Sequence, residues 1–279
     1  MIISITHSIK TNYMSILSTS RLYFTILSAI ACTVLSSCKD QKVTTPPLPL
    51  NTNPHIEFNP GLSYLTTTDY DGNVYKTIKI GTQIWMAENL RVTHYKNGDT
   101  IPQLSTDSAW SKAKAGGQCG YKGATFASKT HADSVTLIKY GRLYNGYVVN
   151  DTRGIAPLGY RIPKDADWKV LTNYVSTHFG KSGSIAKALS GTTDWKVNID
   201  NGLLDLSKNN SMGLTALPAG MRFGDGTYDG MGTSVFWWTS TEQSSTSFWT
   251  QSMYYNESDV VKLLHDLRSG LSIRCVSIF

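Results

Sequence analysis

The residues best suited to chemistry lie in one segment, Met221-Arg-Phe-Gly-Asp-Gly-Thr-Tyr-Asp-Gly-Met-Gly232. An arginine and two carboxylates there can hydrogen-bond hydroxyl groups, the carboxylates can share a Ca2+ ion, and Tyr228 offers a ring face with a polar tip. Binding residues concentrate on loops carried by a rigid scaffold, so Arg222, Asp225, Tyr228 and Asp229 are the candidate ligand contacts. A solvated, turn-rich connection would use the same residue types. Asp69-x-Asp71-Gly72-Asn73 has the look of a calcium loop, yet its glycine comes two positions early for an EF-hand and no bidentate glutamate follows. A hairpin turn suits it better. Glu88, Arg142, Glu242 and Arg274 are potential acid–base groups, although buried ion pairs holding loops are the better explanation. The six histidines form no zinc-protease cluster, and there is no Gly-x-Ser-x-Gly elbow or phosphate loop. No catalytic residue, metal ligand set or cofactor is therefore assigned, with Ca2+ the one ion left open.

These side chains sit in a chain of 279 residues with only 16% charged residues, 7 Trp, 15 Tyr and 23 Gly. High charge and few aromatics mark disorder, and Ala, Glu, Lys and Leu mark coiled coils; neither composition is found here. The net charge of +6 is spread along the chain without a polybasic run. Nucleic acid is not an expected partner. Trp85, Trp168, Trp195, Trp237, Trp238 and Trp249 could stack on sugar rings, but each is also what a loop-rich core needs.

The N-terminal region addresses the protein. After Arg21 comes Leu22–Leu35, an uncharged apolar run of 14 residues, too short to span a bilayer and of the length of a signal h-region. It ends in Leu35-Ser-Ser-Cys38, which resembles a bacterial lipoprotein signal, with Cys38 as the lipidated residue. Residues 1–37 are thus expected to be the signal peptide, and Met14 offers a second start of ordinary signal length. Residues 38–63, with four prolines between Pro46 and Pro54, read as an extended tether.

From about Tyr64 the pattern turns globular. Asp69–Ile80 predicts a strand after a turn at Asp71-Gly72, with Val74, Ile78 and Ile80 on one face, and Gly81–Leu90 a second strand. Asp165–Phe179 predicts the best helix, with Trp168, Leu171 and Tyr174 or Val175 at helical spacing, and Ser184–Leu189 a shorter one. Phe236–Thr241, Phe248–Tyr255, Val260–Leu267 and Leu271–Ile278 follow as strands. The expected class is a single α+β domain over residues 64–279, with short helices and glycine-rich loops.

Seven ordered segments resemble one family: Asp71–Gly81, Trp85-Met-Ala-Glu-Asn-Leu90, Tyr140–Asn145, Gly159-Tyr-Arg-Ile-Pro163 with Asp165-Ala-Asp-Trp168, Gly213–Gly220, Trp237-Trp-Thr-Ser-Thr-Glu242 and Ser272-Ile-Arg-Cys-Val276. Their order resembles the Fibrobacter succinogenes major paralogous domain of exported bacterial lipoproteins. The resemblance implies a C-type-lectin-like fold related to formylglycine-generating enzymes, with no established family activity. Three departures stand out. Ala156 replaces a customary cysteine, Gly146 a tryptophan, and Lys164 a helix-capping serine or threonine; the last predicts a cap weaker by about 1 kcal/mol. Oxidase chemistry would need two close reactive cysteines. Beyond Cys38 only Cys119 and Cys275 remain; in an oxidising compartment they could form one disulfide, or Cys275 could be an inert buried thiol.

The expected function is that of a non-catalytic module binding glycans or envelope and extracellular proteins, held by lipid at the bacterial outer membrane or cell surface. A structural or assembly role in the envelope is the alternative, with a hydrolase or oxidase third.

Overall fold

In a computed structural model of the chain, residues 53–121, 132–179, 184–197, 206 and 209–279 are described. The segment expected to be the signal peptide, Cys38 and the expected tether up to residue 52 lie outside them. No helix among the described residues is long and apolar enough to cross a membrane.

The described part of the chain has as its first strands β1 (Leu65–Thr68), β2 (Val74–Ile80) and β3 (Gln83–Met86), an antiparallel meander. Asp69 closes the β1–β2 turn by accepting from the Asn73 amide at 2.9 Å, with Gly72 at φ +79 supplying the left-handed position. The second strand buries both faces. Ile78 and Ile80 pack into one cluster and Tyr75 into another, where a single apolar face had been expected.

Helix α1 (Asp107–Ser111), β4 (Gln118–Cys119), α2 (Ala132–Tyr140), β5 (Leu143–Asn145) and β6 (Tyr160–Arg161) follow, then α3 (Asp165–Phe179) and α4 (Ile185–Leu189). Helix α3 buries Trp168, Leu171 and Val175, the stripe read from its periodicity, and its bounds agree with that reading. Lys164 leaves the helix without a local hydroxyl cap, yet the first turn is not orphaned. Thr241 accepts from the Asp165 amide at 2.9 Å, and the Asp167 carboxylate accepts from the Lys164 amide at 2.6 Å. The cap has moved to a distant strand.

The C-terminal half is β7 (Ala219–Arg222), β8 (Tyr228–Met231), β9 (Ser234–Ser244), β10 (Ser247–Tyr254), β11 (Val261–Asp266), β12 (Gly270–Leu271) and β13 (Val276–Ser277). The predicted strand Leu271–Ile278 is two short ones in different sheets. β12 lies between β7 and β5 in the eight-stranded sheet, whereas β13 joins β3 to β6 in the five-stranded sheet, whose order is β1-β2-β3-β13-β6. The first and last strands of the domain thereby close into one sheet. The class is α+β.

The folded body also begins earlier than Tyr64. Ile56 is buried, and Phe58 and Leu62 pack on the cluster built around Trp85, Trp168 and Trp237. Asn59 donates to the Asn210 carbonyl at 2.9 Å, and the Lys76 ammonium lies 4.2 Å from the Phe58 ring. The sequence around Asn53–Ser63 is rich in Asn and Pro, so composition suggested a linker; its few apolar side chains are nonetheless docked.

Candidate functional site

The segment 221–232 is a hairpin rather than a loop. β7 and β8 pair with Met221 opposite Asp229 and Arg222 opposite Tyr228, and Phe223–Thr227 turn between them. Gly226, at φ +101, is needed where the turn meets α1, since a Cβ there would lie 2.5 Å from the Asp107 Cα. Strand alternation then separates the predicted contacts onto opposite faces.

Arg222 and Tyr228 face inward. Arg222 is fully buried and donates to the Gly226 carbonyl at 2.9 Å, the Leu104 carbonyl at 2.6 Å and the Asp107 carboxylate at 3.0 Å. Its guanidinium carbon lies 4.5 Å from the Trp110 ring and 4.7 Å from the Tyr228 ring. It is a clamp, inaccessible to a ligand, which corrects its placement among the candidate contacts. The Tyr228 hydroxyl donates to the Gly120 carbonyl at 3.3 Å and lies 3.6 Å from the Cys119 sulfur, so burial and that thiol hold the phenol protonated. Asp225 is exposed at the turn tip but holds Thr227, accepting from its amide at 2.9 Å and its hydroxyl at 2.7 Å. Those bonds lower its carboxyl below the usual range.

Asp229, the fourth candidate, points the other way, into a groove of about 450 Å3 on one face of the eight-stranded sheet. The hairpin contributes Phe223 and Asp229 to it, and β9 contributes Ser234 and Phe236. Tyr254 and Tyr255 come from the end of β10 and just beyond it, and Leu263 and His265 from β11. Phe236 stands edge-on to Tyr254 at 5.6 Å and to His265 at 5.5 Å. Burial pushes the His265 imidazole down to about 4, so it is neutral at pH 7. Its Nδ1 lies 2.8 Å from the Thr250 hydroxyl. Aromatic faces beside a few convergent polar groups suit a small ligand or a sugar. Sequence reasoning missed Tyr254, Tyr255 and His265. The alternation of β10 and β11 puts Leu263 and His265 on one face, but nothing local says that this face meets the hairpin.

Three of the four acid–base candidates hold the framework. Glu88 is buried, accepts from the Lys76 amide at 2.7 Å and pairs with Arg91 at 3.0 Å. Its neighbour Asn89 accepts from Trp237 Nε1 at 2.9 Å and from Arg274 Nε at 3.0 Å. Arg274 also donates to the Leu214 carbonyl, and burial pulls it down to about 9. Arg142 donates to the Arg91 carbonyl at 3.1 Å and to Gln118 at 2.7 Å. Glu242 is exposed and accepts from Asn150. The Asp69 and Asp71 carboxylates do not converge: Asp69 serves Asn73 and Tyr75, and Asp71 serves Thr93 and His94. Among the described residues no three or more His, Cys, Asp or Glu side chains come together to hold a metal ion.

Cys119 and Cys275 are free and buried in separate apolar clusters. Burial raises both thiols, Cys275 to about 12. Five of the six tryptophans considered for sugar stacking are buried: Trp85, Trp168, Trp195, Trp237 and Trp238. Trp249 is partly exposed, with the Lys262 ammonium 4.0 Å from its ring.

Fold and site together define an α+β domain whose ordered motifs are hydrogen-bond hubs and whose groove is assembled from a hairpin and three sheet strands. A family model, the Fibrobacter succinogenes major domain, matches residues 78–277, and the chain belongs to that family. No curated protein and no solved structure matches it.

Proposed function

We propose that this protein is an exported, lipid-anchored, non-catalytic binding module that takes glycans in the groove between the β7–β8 hairpin and strands β9–β11. The observation that carries the reading is the groove's lining, in which Phe223, Tyr254 and Tyr255 offer rings while Asp229, Ser234 and His265 offer hydrogen bonds. Sugars present C–H faces and hydroxyl edges, which such a mixture can meet. The raised thiols and the structural employment of Glu88, Arg142 and Arg274 argue for binding rather than turnover, since a protonated thiol is a poor nucleophile. We also infer a C-type-lectin-like fold, related to formylglycine-generating enzymes; the closure of β1–β3 with β13 in one sheet supports it.

Lipidation at Cys38 would place the module on the outer membrane or cell surface, since lipid chains contribute about 0.8 kcal/mol per buried methylene. Mass spectrometry of the N-terminal peptide from membranes tests this; an unmodified Cys38 or an intact leader overturns it. A glycan array probed with the detergent-solubilised chain and with its Tyr254→Ala variant tests the groove. Binding that is lost in the variant supports the reading, and no binding to any glycan refutes it.

Docking to an envelope or extracellular protein, or a structural role in the envelope, is the second reading. Leu158 (94% exposed) and Phe279 (90% exposed) favour it, since Phe279 packs against Gly159 next to Leu158 and together they leave an apolar surface open.

A further inference from the structure

The chemistry of the groove carries information about the charge of its ligand. Among the residues lining it, Asp229 is the one formally charged side chain. It is exposed, and no hydrogen bond or ion pair to it is found among the described residues, so both carboxylate oxygens are free to accept. Three cations on neighbouring elements are paired away from it. Arg222 lies on the opposite face of the hairpin, bonded to Asp107; Arg268 pairs with Asp266 at 2.9 Å; Lys262 pairs with Asp165 at 2.8 Å. Lys196 stands 4.7 Å from the Tyr255 ring without lining the groove.

In one of its two tautomers His265 adds a second acceptor. The Thr250 hydroxyl lies 3.3 Å from the Leu263 carbonyl, which can only accept, and 2.8 Å from His265 Nδ1. With the hydroxyl proton given to the carbonyl, Nδ1 donates to Thr250 and Nε2 is left as an acceptor. Because the imidazole is neutral, no positive charge arises at this position near pH 7.

Resting on the glycan reading, we propose that the groove selects neutral pyranosides and rejects anionic ones, with Asp229 accepting from sugar hydroxyls while Tyr254 and Phe223 cover the ring faces. A hydroxyl donates to a carboxylate, whereas the carboxylate of a uronic acid brings only acceptors and a like charge into a groove whose lining, among the described residues, carries no cation. Such repulsion is a negative element of specificity, separate from the attraction of the aromatic faces.

Calorimetry on the detergent-solubilised chain tests it at low salt. The probes are neutral β-1,4 hexaoses of glucose, mannose and xylose, and hexagalacturonate. The tightest neutral hexaose is expected to bind about tenfold or more tightly than hexagalacturonate, a modest like-charge penalty at partly exposed distances. Asp229→Asn should narrow that ratio to about threefold or less, by weakening the neutral sugar and relieving the anionic one. Tyr254→Ala and Phe223→Ala should each weaken the neutral sugar without changing the ratio. Hexagalacturonate bound as tightly as the neutral probes, or a ratio unmoved by Asp229→Asn, overturns the charge selection alone. If no probe binds, or binding is indifferent to both Tyr254→Ala and Phe223→Ala, the glycan groove itself is overturned. Because Asp229 and Phe223 are exposed, unchanged melting temperatures in their variants keep folding out of the comparison.

Discussion

Replacing Arg222 by leucine should destabilise the domain by about 3 kcal/mol, which follows from balancing three effects. Two of its bonds go to backbone carbonyls, those of Gly226 and Leu104. A buried acceptor left without a donor costs about 1–3 kcal/mol. Its third partner, Asp107, is 64% exposed on its side chain and returns to water at little cost. Loss of the contacts with the Trp110 and Tyr228 rings adds about 1 kcal/mol. Against these, the variant no longer desolvates a guanidinium, and leucine keeps the site apolar. For a domain of this size a 3 kcal/mol loss lowers Tm by about 6–12 °C in scanning calorimetry. Arg222→Lys keeps the charge but not the three-way fork, and should lose about half as much. A Tm within about 2 °C of wild type for Arg222→Leu would refute the clamp. If glycan affinity were abolished while Tm stayed unchanged, Arg222 would be the ligand contact that the sequence suggested.

Thr241→Val removes the hydroxyl that caps α3 from a distance and should cost about 1 kcal/mol, while Thr241→Ser should not; equal Tm values for all three proteins would show that the contact is incidental. Iodoacetamide at pH 8 should label neither Cys119 nor Cys275 in the folded protein and both after unfolding without reductant; one disulfide in the exported protein would contradict their placement in separate clusters. His265 makes stability depend on pH. Its folded pKa is about 4 against 6.5 in its ordinary state, so between those values the unfolded chain binds the extra proton. Its contribution is therefore complete above about pH 6.5 and declines as pH falls towards 4. His265→Gln should flatten the difference in Tm between pH 7 and pH 4.5, and an unchanged difference would place the titration elsewhere.

Periodicity made α3 legible because its apolar stripe, Trp168, Leu171 and Val175, repeats at the helical spacing and Gly180 follows. The β1–β2 turn was legible for a similarly local reason, the Asp-Gly pair at Asp71-Gly72. The break between β12 and β13 was not, because Ser272–Cys275 is as buried as any strand interior. What divides that segment is distant: Ser272 bridges Trp237, while Arg274 turns to Asn89 and the Leu214 carbonyl. The cap of α3 was missed in the same way. Its first residues contain an acid that can cap in reverse, Asp167, but the hydroxyl of Thr241 arrives from 76 residues away.

The hairpin shows how little separates a proposed ligand contact from a clamp. Tyr228 and Asp229 are adjacent, and in a strand adjacent side chains must face opposite ways. Pairing with β7 then fixes which way each goes. Tyr228 opposite Arg222 is committed to the interior beside Trp110 and Cys119, and Asp229 opposite Met221 is committed to the groove. A shift of one residue in this register would exchange them, putting a carboxylate against the Cys119 sulfur and the phenol into the groove. The two roles are therefore linked: the buried guanidinium fastens the same turn whose register presents Asp229 to the groove. It follows that Arg222→Leu, in molecules that remain folded, should loosen the selection against anionic sugars although Arg222 touches no ligand. Asp229→Asn should alter the selection while leaving the fold untouched.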